Sequence, residues 1–159
     1  MTRKEQYNQL ILQIAGLIKD ETNLVGILAN VSAALHDTFP ERFFWVGFYL
    51  QENGNMLRLG PFQGSVACYV IPFGKGVCGK AWEEGCTIIV PDVEKFPGHI
   101  ACSSLSRSEI VVPMYDDSHT FRGVLDIDST QLNDFNEDDR EGLERIIELL
   151  MAETQDLFQ

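Results

Sequence analysis

Positive charge is scarce in this chain. Twelve Lys and Arg stand against 24 Asp and Glu among 159 residues, for a formal charge of −12. Affinity for a nucleic-acid backbone rests on Lys and Arg neutralising phosphates, so unaided nucleic-acid binding is excluded. No apolar run approaches the roughly 20 residues that cross a bilayer, and no membrane role is expected. The N-terminus Met1-Thr2-Arg3-Lys4-Glu5-Gln6 lacks the apolar core and small-residue cleavage site of a signal peptide. The expectation is a cytoplasmic protein. Repeats, low-complexity tracts and linkers are missing too, and 159 residues suit one domain spanning 1–159. Cysteine is limited to Cys68, Cys78, Cys86 and Cys102, with no CxxC pair. In a reducing compartment these begin as thiols, which disfavours a static disulfide scaffold. Ligand type alone would admit zinc, with His99 as a further donor, but the short paired spacings of structural zinc sites are absent. The run Gly74-Lys75-Gly76-Val77-Cys78-Gly79-Lys80 lacks the four-residue gap and final Ser/Thr of a phosphate-binding loop. No metal or cofactor is expected.

What is present is an ordinary globular mix, 45% apolar and 23% charged. Much of the acid is local. Residues 134–159 hold nine acids and two bases, −7 of the −12, and read as the solvated face of a helix. Tyr7, Leu10, Ile11, Ile14, Leu17 and Ile18 recur at helical spacing, as do Leu24, Ile27, Leu28, Val31 and Leu35. Asp20–Asn23 supplies N-cap candidates for the second of these helices.

The period then changes. Residues 42–50 are aromatic-rich and predict a strand, Asn53-Gly54 a hairpin turn, 56–60 the returning strand and 66–72 a third strand. Residues 77–84 predict a short helix and 87–90 a short strand. Residues 110–114 and 121–129 predict two more strands, and a helix starts at Asn136, with Glu137, Asp138 and Asp139 favouring its dipole. The fold expected is α+β, a mainly antiparallel central sheet with helices packed on one face. The loop at 91–108 is too long for a mere connector and reads as a site loop.

Four features could carry chemistry. Cys102 lies in the long loop, among backbone N–H donors and hydroxyls that favour a thiolate; an inert buried thiol is the other reading. Cys68 falls within the expected third strand, and Cys78 follows the glycine turn. Asp126 and Asp128 lie two apart on one strand, so their side chains share a face. Like charges so placed need water or a cation. An edge strand facing solvent would supply water; a site for an ammonium group is the other reading. Glu109, at the end of the loop, could join them, and crowding three carboxyls would leave a protonated acid able to donate. Trp45, Gly47 and Tyr49 share a strand face, with the glycine leaving a slot between two rings.

Gly74–Gly79, the segment Phe96-Pro97-Gly98-His99-Ile100-Ala101-Cys102, Ser108–Val111 and Gly123-Val124-Leu125-Asp126-Ile127-Asp128-Ser129 together resemble the free methionine-(R)-sulfoxide reductases, stand-alone GAF-domain enzymes. The likeness runs from about residue 7 to 157. It implies a GAF-like fold, with Cys102 as nucleophile, Cys68 as resolving thiol and Cys78 in a secondary or alternative resolving role. Cys86 matches no family position. The resemblance also places Trp45, Tyr49, Glu109, Asp126 and Asp128 in a pocket for free methionine-(R)-sulfoxide. It implies thioredoxin as reductant and a homodimer. The cyclic-nucleotide motif of other GAF domains is incomplete at Asn133-Asp134-Phe135. A non-enzymatic GAF module that binds a small molecule or senses redox state is the alternative.

Overall fold

The computed structural model describes residues 1–158. The two N-terminal helices are α1 (Arg3–Ile18) and α2 (Leu24–Thr38). Thr2 opens α1 with a capping box to Glu5, and Asn23 opens α2 by accepting from the Gly26 N–H. Strands β1 (Trp45–Glu52), β2 (Met56–Gln63) and β3 (Val70–Pro72) follow, then α3 (Gly76–Glu84) and β4 (Ile88–Val90). Gly85 ends α3 in the left-handed conformation, φ 68°. The long loop leads to β5 (Ser108–Tyr115), β6 (Phe121–Ser129) and α4 (Glu137–Thr154).

The six strands form one antiparallel sheet in the order β3-β2-β1-β6-β5-β4. Alternation gives it two different faces. Val46, Phe48, Ile110, Val112, Leu125 and Ile127 point into the larger core. There α2 lies against β1 and β2, α4 lies against β5, and α1 packs across both helices. The α+β fold expected from the sequence is the fold observed. One helix departs from the expected single face: α3 covers the opposite face, against β3, β4, β5 and β6, and the site lies beneath it. Among the described residues no helix is long and apolar enough to cross a membrane.

One expected strand is shorter than its sequence suggests. Residues 66–69 leave the sheet, and β3 holds only Val70–Pro72. The reason lies in side chains. Trp45 Nε1 donates to the Ser65 carbonyl at 3.0 Å, and Tyr49 Oη donates to the Cys68 carbonyl at 3.1 Å. The Ser65 and Cys68 carbonyls are thus turned toward β1, the segment arches over Trp45 and Tyr49, and it rejoins β2 only at the Tyr69 carbonyl, which accepts from the Leu59 N–H at 2.9 Å.

Candidate active site

Strand register builds the site. Across β1, β6 and β5, Trp45 pairs with Asp128, which pairs with Glu109; in the next row Gly47 pairs with Asp126, which pairs with Val111. Three carboxyl side chains therefore stand on one face of the middle of the sheet. Because β6 is flanked on both sides, the solvent-facing edge reading of Asp126 and Asp128 does not hold. Glu109 and Asp126 are each only 5% exposed.

Burial controls their protonation. Desolvation and then the charge of Asp128 push the Glu109 pKa up to about 8. Asp126 and Asp128 are raised as well, first by burial, then by the neighbouring carboxylates. These groups titrate as a set, and protons are retained within it at neutral pH. Burial also raises the Cys78 thiol and the Tyr49 phenol. Cys78, in the first turn of α3, brings its Sγ within 4.8 Å of oxygens of Glu109 and Asp126. His99 comes from the long loop, its Nε2 3.6 Å from Glu109 Oε1, and burial lowers its pKa.

Cys68 and Cys102 are joined in a disulfide, with their Cα atoms 5.6 Å apart. The bond ties the arched 64–69 segment to the long loop. Below it lies a cavity of about 40 Å³, lined by Trp45, Tyr49, Cys78, His99, Cys102 and the three carboxyls. That volume holds roughly three waters. Cys78 is a buried free thiol, and Cys86 is free and exposed, against a separate groove beside α4.

The structure thus brings Trp45, Tyr49, Cys78, Cys102, Glu109, Asp126 and Asp128 to one cavity, with Cys68 bonded at its mouth. The slot expected over Gly47 is not open to a ligand. Phe62 lies there, its ring stacked 5.1 Å from Trp45, and a Cβ on residue 47 would collide with it. Sequence reasoning missed Ile100 and Gly76 as partners. Ile100 packs onto Gly76, whose φ of +63° and lack of a side chain let the loop come this close. The glycine run was the signal. It reads as a turn, but its second glycine also seats the loop that carries Cys102.

With the disulfide reduced, an electrophile entering this cavity would meet two thiols at the mouth and, on the floor, three carboxyls that share retained protons. Residues 21–152 match the GAF domain family. GAF domain-containing protein A of Dictyostelium discoideum is 56% identical, over 94% of this chain and 92% of that one. The free methionine-R-sulfoxide reductase of Escherichia coli is 42% identical over 92% and 87% of the two chains. In structure, the free methionine-R-sulfoxide reductase of Neisseria meningitidis, solved with its substrate, superposes with a TM-score of 0.93. It is 46% identical and covers 98% of this chain and 92% of its own.

Proposed function

This chain belongs to the GAF-domain family and, within it, to the free methionine-R-sulfoxide reductases, and on that premise we propose that Cys102 is its nucleophile and Cys68 its resolving thiol. It is an enzyme that reduces free methionine-R-sulfoxide. The mechanism rests on one observation: a Cys68–Cys102 disulfide across the mouth of a cavity floored by buried carboxyls.

In the reduced enzyme the Cys102 thiolate attacks the sulfoxide sulfur. The oxygen departs only when protonated, and Glu109, whose pKa burial lifts to about 8, is the acid placed to donate. The protonated oxygen passes to the attacking sulfur: the substrate S–O bond breaks as a Cys102 Sγ–O bond forms, the transient S–S bond breaks with its electron pair on methionine, and Cys102 is left as a sulfenic acid. The Cys68 thiol then displaces that oxygen as water, giving the disulfide seen here. Two electrons must return from an external dithiol, for which thioredoxin is the proposed donor, each attack passing through a mixed disulfide. Cys78 faces Asp126 on the cavity floor, where it is placed for a secondary resolving role.

Asp126 and Asp128, with Trp45 and Tyr49 beside them, hold the amino acid. A free substrate carries an ammonium group that these carboxyls balance. A peptide-bound residue offers a neutral amide and leaves them without a counter-charge. The whole chain, 1–159, acts as one catalytic domain, located in the cytoplasm and assembled as a homodimer.

Coupled NADPH oxidation with thioredoxin and its reductase tests the reading. Free R-sulfoxide is turned over, while the free S form and a peptide-bound sulfoxide are not. Cys102→Ser abolishes activity, and Cys68→Ser releases one methionine per chain and then recycles slowly with thioredoxin. Normal turnover by Cys102→Ser would refute the mechanism.

A further inference from the structure

The floor of the cavity carries a donor set that sulfoxide reduction does not call for as a set. A Cys78 Sγ, a Glu109 oxygen and an Asp126 oxygen lie within 4.8 Å of one another, all buried. They come from α3, β5 and β6, so no spacing in the sequence announces them. A fourth donor, His99 Nε2, stands 3.6 Å from Glu109 Oε1. An independent observation points to a ligand. Asp126 Oδ1 is buried and accepts from no N–H or hydroxyl donor; the polar groups beside this carboxyl are those of Glu109 and Cys78, and its side chain lines the cavity. An unsatisfied buried carboxyl oxygen is costly, and a cation removes that cost.

We propose that Cys78, Glu109, Asp126 and His99 form a reversible binding site for a soft divalent cation of the zinc class. A thiolate and an imidazole among the donors select such an ion over Mg²⁺ or Ca²⁺. Bond lengths of about 2.0–2.3 Å place the ligand atoms of a tetrahedral zinc roughly 3.3–3.7 Å apart. The His99–Glu109 separation already meets this; Cys78, Glu109 and Asp126 need to close by up to about 1 Å, and His99, carried on the long loop, swings in to complete the set. The cavity admits an ion and a water even in the disulfide form. Binding ionises the Cys78 thiol and releases its proton to solvent. The claim of binding stands on this geometry alone. A consequence rests on the proposed function: the ion occupies the carboxyls assigned to the substrate ammonium, so metal and methionine sulfoxide exclude each other.

The test uses the Cys86→Ser chain with the Cys68–Cys102 disulfide formed, which leaves Cys78 as the only thiol. Titration with Co²⁺ is expected to give a sulfur-to-cobalt charge-transfer band with one ion per chain. Zn²⁺ should bleach the band, and an equal concentration of Mg²⁺ should not. Cys78→Ser removes the band. His99→Gln, a loop change that leaves the core packing untouched, weakens Zn²⁺ binding in equilibrium dialysis at least tenfold. Absence of the band, or equal Zn²⁺ affinity in the His99→Gln chain, overturns the site. In a Cys102→Ser chain, saturating free methionine sulfoxide should weaken Zn²⁺ binding; unchanged affinity overturns the overlap. A failed reductase assay would leave the dialysis result standing, so the two readings fail separately.

Discussion

Glu109 answers to two demands that oppose each other. The proposed chemistry needs it neutral, and the fold keeps it neutral by burying it, which lifts its pKa from 4.5 to about 8. The folded chain therefore binds a proton that the unfolded chain has lost throughout that window. Stability from this group is fully present below pH 4.5 and falls as pH rises through 8. Glu109→Gln removes the titration. Its melting temperature should exceed that of the parent at pH 8, and the advantage should vanish near pH 4, as thermal unfolding at the two pH values would show. Activity should follow the same group with the opposite benefit. In the parent, kcat for free sulfoxide should decline as pH rises past about 8, because the acid form is lost. Glu109→Gln should lower kcat by 10²–10⁴-fold, about the size of a general-acid contribution, and flatten that limb of the pH profile. A variant with parental kcat would reassign the proton to Asp126 or Asp128.

At the scale of elements, the start of α4 locks the helical layer to the sheet. Asp139 is fully buried and accepts from the Tyr7 hydroxyl at 2.7 Å, Arg3 at 2.8 Å, Arg42 at 3.0 Å and the Asn136 N–H at 2.9 Å. One carboxylate joins α1, the turn before β1, and the cap of α4. Asp139→Asn removes one of the two carboxylates that face Arg42, Asp134 remaining at 3.1 Å, and urea unfolding should register a loss of about 1–3 kcal/mol. Three residues on, Gly142 lies against the Tyr7 ring, and a Cβ there would enter the ring. Gly142→Ala should destabilise by about 1–3 kcal/mol, although alanine favours a helix by up to about 1 kcal/mol; a neutral or stabilising result would refute the close packing of α1 on α4. The caps at Asn23 and Asn136 were legible in sequence because capping is local, and the α4 stripe because period is local. The pair Asp126 and Asp128 was legible because strand alternation puts i and i+2 on one face. What was not legible depends on partners distant in sequence. Residues 66–69 have strand composition, yet Tyr49 takes the Cys68 carbonyl and Trp45 the neighbouring Ser65 carbonyl from another strand. The slot at Gly47 is filled by Phe62 from β2. Nothing near residue 78 reveals that α3 covers the face opposite the other helices, and that placement is what brings Cys78 to Glu109 and Asp126.

For the whole molecule, the disulfide joins two consequences, stability and access. It closes a loop of sequence separation 34, and restricting the unfolded chain over such a loop contributes about 3–4 kcal/mol. For a chain of this length that corresponds to a melting temperature roughly 10 °C higher in the oxidised form than in a Cys68→Ser chain, which cannot form the bond. Access runs the other way. Beneath the closed bond the cavity of about 40 Å³ holds roughly three waters, too little for an amino acid. Substrate must therefore enter a reduced state in which the long loop and the 64–69 segment are no longer tied together. A Cys102→Ser chain keeps that state without consuming the ligand. Free methionine-R-sulfoxide at 100 times its Kd should stabilise this chain by about 2.7 kcal/mol and leave the oxidised parent unshifted. The oxidised enzyme is thus the more stable molecule and the one that cannot bind. A substrate-induced shift in the oxidised parent would break that link between redox state and access, and would place the amino acid outside the carboxyl-floored cavity.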